Sequence, residues 1–356
     1  MIYSQRSDGL GTRILSAIYA RLLSEQVGVP MGVIWTPLGW PFLVRDTPLM
    51  HPRHLPEIFA SLHLFRDAAE GAHGEIVPHE EVVSTELFSL YYNRDELSGL
   101  SRGEVAQIAM MGRGVNYDFP GPLFDFMDRD PTRKAAVSRI AATINWSPAV
   151  AAAIAEIDGR FQLGRCLSVH VRRGDILEML FAYDLDDLAG DGMTQILQRY
   201  TPLQAYFEAI DAAGPDAGGI VVCTEDDGVV ERFVARYGPD RVASCAGMTL
   251  TDNQRAAVDL ILLSRSRRII APVLSFFSQC AAEIGGTVLQ NTAWHLRETT
   301  GEIDAILAAS TAERVGAVRA ILYRAAHRLS AQNELGLEGY YEDLMRAAPG
   351  TDRHEP

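Results

Sequence analysis

The chain has 356 residues, 47% hydrophobic and 22% charged, with 46 acidic side chains against 32 basic ones, a formal net charge of −14 and a pI of about 5.1. This is globular composition, with length enough for two cores. The acidic balance disfavours nucleic acid and anionic membranes as partners, since both call for a basic surplus, but it leaves room for a local basic pocket that takes a phosphorylated small molecule.

The first residues, MIYSQRSDGLG, carry no apolar leader segment. The longest apolar runs, such as 256–264, are too short to span a bilayer. A cytoplasmic protein of bacterial type, without stable membrane insertion, is expected. Residues 8–13, DGLGTR, open a stretch with helical spacing over 12–27 (TRILSAIYARLLSEQV). Gly9 and Gly11 allow close approach of a ligand to the backbone, and a helix start offers N–H groups to an anion. The same pair also fits an ordinary turn. Residues 31–35 (MGVIW) read as a strand, 36–60 as a loop rich in Pro and His, and 61–158 as mixed, with helical spacing near 101–112 and 131–158.

From about residue 159 a second pattern begins. Strand-like runs at 166–172, 219–224, 268–271 and 286–289 alternate with helical stretches at 202–212, 228–237 and 252–266. Short apolar strands alternating with helices predict a parallel sheet with crossover helices. After Trp294 the chain reads as helix only, at 301–309, 311–331 and 337–347. The expected organisation is an α/β domain over 1–158, a second over 159–297 and a helical tail over 298–356. Cys166, Cys223, Cys245 and Cys280 form no CxxC pair, and buried reduced thiols are expected rather than disulfides or zinc.

The run SVHVRRGD (168–175) ends an apolar strand in several ionisable groups. Buried charge is costly without partners, so either the protein or a ligand supplies them. Strand alternation puts Ser168, His170 and Arg172 on one face and Val169, Val171 and Arg173 on the other. Ligands of open parallel sheets bind beyond the carboxyl ends of the strands, and an arginine fork suits a phosphate or diphosphate. The alternative is a strand-end ion-pair cluster, with Arg173 paired to Asp175. The embedded RGD is a chance match to an adhesion signal. The run IVVCTEDD (220–227) ends in a polar cluster containing Thr224 and Asp226, on the same predicted edge.

Thr251 and Gln254 fit a capping box, and Asp259 then falls within AAVDLILL. A carboxylate there needs a donor. Arg255 one turn back would serve, and so would the N–H edge of a guanine. In RRIIAPVLSFFSQCAAE a strand and a proline break precede Ser275 and Ser278 at a helix start. That arrangement suits either a plain N-cap or a phosphate.

The order of these pieces resembles the fucosyltransferase superfamily, which includes bacterial and nodulation α1,6-type, α1,2-type and protein O-fucosyltransferases. The matching residues are GLGTRI (9–14), HVRRGD (170–175), TEDD (224–227), Asp259 and SFFSQ (275–279). They cover the first 35 residues and most of the C-terminal half. The resemblance implies a GT-B-like fold, two Rossmann-like domains facing across a cleft, with GDP-fucose held mainly by the second. It implies that Arg172, beside Arg173, holds the diphosphate, that His170 and Asp259 meet the guanine, and that Gly9, Gly11 and Thr12 close over the phosphates. Thr224 and Asp226 would edge the donor site, and Ser275, Ser278 and Gln279 would line the phosphate pocket. Transfer would be inverting and metal-free, with Arg172 stabilising charge on the departing diphosphate and no cofactor beyond the sugar donor. The acceptor would be a glycan or a lipid- or peptide-linked sugar. Relatives often carry Asn where Thr12 stands, and the α1,6-type Glu has no counterpart in register, so Asp175, Glu178 and Asp184 are the candidates for the general base.

Two other expectations compete. A metal-dependent glycosyltransferase would use a DxD such as Asp128-Arg-Asp130 or Asp184-Leu-Asp186. A catalytically silent nucleotide- or glycan-binding protein could use the same fold.

Overall fold

A computed structural model describes residues 1–37, 50–67, 73–79, 88–90, 94–111, 114–214 and 218–347. The expectations for 38–49, for residue 112 and for 348–356 lie outside the described residues. The described residues form two five-stranded sheets, and the strand pairs within them are parallel.

The first sheet has the order β3-β2-β1-β5-β4, with β1 Ile2–Arg6, β2 Met31–Trp35, β3 His73–Pro78, β4 Phe88–Ser89 and β5 Val115–Asn116. β1, at its centre, is absent from the sequence pattern. Only Ile2 and Ser4 of its five residues are buried, so its apolar signal is weak, and pairing with β2 and β5 on both sides makes it a strand. Helix α1 (Leu10–Val27) starts two residues earlier than its periodicity indicates, so Gly9 is the N-cap and Gly11 lies in the first turn. The segment read as loop contains a short helix at Leu55–Ile58. The helical spacing that follows becomes α2 (Arg102–Met110), α3 (Arg133–Ala141) and α4 (Pro148–Phe161).

The second sheet has the order β10-β9-β6-β7-β8, with β6 Leu167–His170, β7 Ile220–Cys223, β8 Val242–Ala243, β9 Arg268–Ala271 and β10 Val288–Asn291. Counted within this sheet the order is 5-4-1-2-3, that of a doubly wound Rossmann sheet. The helices here are α5 (Gly174–Ala182), α6 (Met193–Arg199), α7 (Leu203–Ala212), α8 (Asp227–Tyr237), α9 (Asp252–Arg265) and α10 (Phe276–Gly285). Both faces are covered, which is why the strands read as continuous apolar runs. Leu167, Val169, Ile220 and Val222 pack with Tyr206 of α7 and Phe233 of α8. Val221, Cys223, Ile269 and Ala271 point the other way, into a core that contains α9 and α10 and runs on into the first sheet's layer. The protein is therefore α/β, with two Rossmann-like units. The four cysteines are buried free thiols.

Three C-terminal helices follow, α11 (Leu296–Ala308), α12 (Val315–Gln332) and α13 (Glu338–Ala347). They pack on α5 and α6 in an apolar cluster of their own, with Ile176, Leu180, Leu197, Ile303, Leu322 and Tyr341 at its centre. Among the described residues no helix is long and apolar enough to cross a membrane.

Candidate functional site

In a doubly wound sheet the crevice for a ligand opens where neighbouring strands send their connections in opposite directions. In the second sheet that point lies between β6 and β9; in the first sheet the central strand β1 leads through α1 to β2. HVRRGD begins at the last residue of β6, PVLS leads from β9 into α10, and SDGLG leads from β1 into α1. The start of α1 lies close to the helix that follows β9. A Cβ on Gly11 would stand 3.3 Å from Cys280 Cβ and 3.3 Å from the Phe277 ring, so glycine lets the start of α1 lie against α10. Tyr19 of α1 also hydrogen-bonds Glu283 of α10 at 2.5 Å. A surface hollow beside Asp158, Gln162 and Arg165 is at the opposite, amino end of β6 and carries none of this chemistry.

His170 is buried, and its Nδ1 lies 2.7 Å from Ser278 Oγ and 3.1 Å from Ser275 Oγ. Its ring packs against Phe277, with centroids 5.1 Å apart. Ser275 is the N-cap of α10 and accepts the Ser278 N–H. The last residue of β6 is thus tied to the first turn of α10 across the switch point, and three of the sequence candidates form one cluster. Phe276 and Gln279 stand exposed on the same turn.

Strand alternation carries past the end of β6. Val171 joins the apolar cluster of Leu167 and Val169, while His170 faces α10. Arg172 is half-buried and Arg173 buried. The Arg173 guanidinium donates to the Thr201 carbonyl at 2.7 Å and lies 4.0 Å over the Tyr200 ring. Among the described side chains its partners are a carbonyl and an aromatic ring; the expected pairing with Asp175 lies outside the described residues. Asp175 sits in the first turn of α5, where its side chain is outside the described ones, and Glu178 is exposed one turn on. Asp184 caps Leu185–Asp187 through the Asp187 N–H.

At the end of β7, Thr224 is buried and accepts the Asp226 N–H, and Asp226 caps α8 through the Gly228 N–H. Glu225 lies between them within TEDD, and the sequence assigns it no role of its own. Its Oε1 accepts the N–H of both Arg173 and Gly174. Those donors are backbone groups some fifty residues earlier in the chain, and no side-chain pattern announces them.

Asp259 is buried, and its Oδ1 accepts from the Cys245 thiol at 3.3 Å. The helix-local partner proposed for it turns elsewhere: Arg255 pairs with Asp227 at 3.1 Å. Burial pushes the Asp259 carboxyl up to about 7, against the smaller opposing pull of the two thiols. Thr12 is buried and donates to the Gly9 carbonyl at 2.8 Å, fixing the glycine turn. Arg13 beneath it donates to the carbonyls of Asp8, Thr36 and Pro37 and lies 4.9 Å from the Trp35 ring. Burial lowers its guanidinium to about 9, so it remains a cation at neutral pH.

Of the DxD pairs, Asp128 is bound by Arg133 at 2.5 Å and Asp130 by Thr132, whose N–H lies 2.8 Å away. Asp184 is the cap already described. No group of three or more potential metal-ligating side chains occurs among the described residues.

No family model and no curated protein matches this chain. Among solved structures it is similar to the NodZ α-1,6-fucosyltransferase soaked with GDP-fucose, at 18% identity and a TM-score of 0.45 over 80% of this chain and 91% of that one. It is similar to the fucosyltransferase NodZ from Bradyrhizobium, at 17% and 0.46 over 79% and 91%. It is also similar to POFUT1 in complex with GDP-fucose, at 10% and 0.40 over 82% and 97%.

Proposed function

We propose that this protein is a glycosyltransferase of the fucosyltransferase superfamily, which transfers fucose from GDP-fucose to a sugar acceptor with inversion and without a metal. The observation that carries the proposal is the cluster of His170, Ser275 and Ser278 at the β6–β9 switch point, with Arg172 two residues beyond His170. A nucleotide diphosphate suits this place. The first turn of α10 offers hydroxyls and N–H groups, and Arg172 offers a two-donor fork. Asp259, at the other end of the same edge, would accept from the two adjacent N–H donors of guanine. Gly9, Gly11 and Thr12 would close over the phosphates from the α1 side.

In the reaction the acceptor oxygen bonds to the anomeric carbon as the bond from that carbon to the β-phosphate oxygen breaks, and GDP leaves with the electron pair. Arg172 stabilises the charge that accumulates on the diphosphate. The acceptor proton passes to a base, for which Asp175 and Glu178 in the first turns of α5 are the candidates.

A thermal-shift panel of GDP, UDP, ADP and CMP with their sugars tests the proposal, because a ligand of the native state at a hundredfold its Kd stabilises by about 2.7 kcal/mol. GDP and GDP-fucose should raise the melting temperature and the others should not. Arg172→Lys, which keeps charge but loses the fork, should then lower transfer by roughly a hundredfold with little change in melting temperature. Arg173→Lys should act mainly on stability, since it removes the stacking on Tyr200 and the bond to Thr201. No response to any guanine nucleotide would refute the proposal, and activity abolished by EDTA and restored by Mn²⁺ would move it to the DxD class.

A further inference from the structure

The turn after β6 is held from three sides. The Val171 N–H donates to the Cys223 carbonyl at 3.0 Å. The Arg173 side chain is anchored on Thr201 and Tyr200. The third hold comes from Glu225, two residues past the end of β7. Its Oε1 accepts the Arg173 N–H at 2.9 Å and the Gly174 N–H at 2.6 Å. These donors open α5, and the first N–H groups of a helix have no partner within the helix. A carboxylate there also meets the favourable end of the helix dipole. Gly174 fits the arrangement closely, since a Cβ at that position would lie 3.0 Å from Glu225 Cγ.

We propose that Glu225 is a positioning residue for Arg172: by accepting both N–H groups it fixes the two peptide planes flanking Arg173, and with them the direction in which the Arg172 side chain leaves the turn, before any nucleotide arrives. This rests on the assignment of Arg172 to the diphosphate. A bidentate guanidinium–phosphate contact depends on alignment, so a turn fixed in advance spares the ligand the cost of ordering it. A carboxylate whose only effect was electrostatic would do the opposite, and its removal would tighten the binding of an anion. The two effects differ in sign, and Glu225→Gln separates them, because it keeps an oxygen acceptor and removes the charge.

The experiment uses the full chain, GDP calorimetry and amide exchange at Arg173 and Gly174. Glu225 is exposed, so both variants should fold, which circular dichroism checks. Glu225→Ala should speed exchange at the two amides by about tenfold and weaken GDP binding by about tenfold, a loss of about 1.4 kcal/mol. Glu225→Gln should stay within about threefold of wild type on both measures, which a charge effect would not allow. The proposal is overturned if Glu225→Ala binds GDP as well as or better than wild type, or if Glu225→Gln falls as far as Glu225→Ala. Failure of the wild-type protein to bind GDP would instead remove the role given to Arg172, and it would be recognised by exchange protection that still depends on Glu225.

Discussion

Asp259 carries its carboxyl inside α9 with the Cys245 thiol on Oδ1. Its surroundings favour the protonated form, so the folded protein binds that proton more tightly than the unfolded chain does. The folded value of about 7 stands against an ordinary value near 3.9. The stability it contributes is therefore full at about pH 4 and lost as the pH rises to about 7. The whole effect is on the order of 4 kcal/mol. Asp259→Asn should flatten this dependence, so that urea titrations give equal stability for mutant and wild type near pH 4 and a more stable mutant at pH 8. If guanine donates to the carboxylate, wild-type GDP affinity should rise from pH 6 to pH 8 and the mutant's should not. A wild-type stability that does not fall across that range would show that the carboxyl is solvated. The run AAVDLILL already marks Asp259 as a buried carboxylate. Its partner is not legible, because an i−4 neighbour is only one of several groups that can reach it, and Arg255 is drawn to Asp227 on a different helix.

At the scale of elements, the join between β6 and α10 organises the site. One hydroxyl, Ser275 Oγ, accepts the Ser278 N–H and also meets His170 and Ser278 Oγ. Ser275→Ala should cost about 1 kcal/mol through the lost cap, measured as a shift of the denaturation midpoint. It should also weaken GDP binding beyond that loss, because the first turn of α10 would no longer be tied to β6. A normal GDP affinity in this variant would place the phosphates elsewhere. The sequence supplies both halves of the join: a strand ending in His, and a Ser N-cap after a proline break. That they touch depends on β6 and β9 being adjacent, and the sheet order is a property of how helices cover both faces, which no local segment encodes.

In the whole molecule the two sheets are joined by close contacts. Glu57 accepts from Thr251 Oγ1 at 2.6 Å, Met50 N–H donates to Asn253, and Ser138 Oγ donates to the Ile284 carbonyl. The C-terminal helices cover α5 and α6. Removing 315–356 would uncover Ile176, Leu180, Leu197 and Ile303, all buried. Each is worth about 1.5–3 kcal/mol, and the sum rivals the stability of a typical domain. The truncated chain should melt far lower and bind a hydrophobic dye, whereas an unchanged melting temperature would make these helices an independent appendage. By itself, the sequence determined the α/β class, most helices and strands of the second half, and the placement of HVRRGD at a strand end and SFFSQ at a helix start. Those features follow from periodicity and residue type over a few neighbouring positions. Only the tertiary structure decided that the weakly apolar residues 2–6 form a central strand, that Arg173 is buried on Tyr200, that α5 and α6 share a core with the C-terminal helices, and that Glu225 holds the turn beside Arg172. In each of these the deciding partner is distant in the chain, and for Glu225 it is a pair of backbone N–H groups that every residue type except proline possesses.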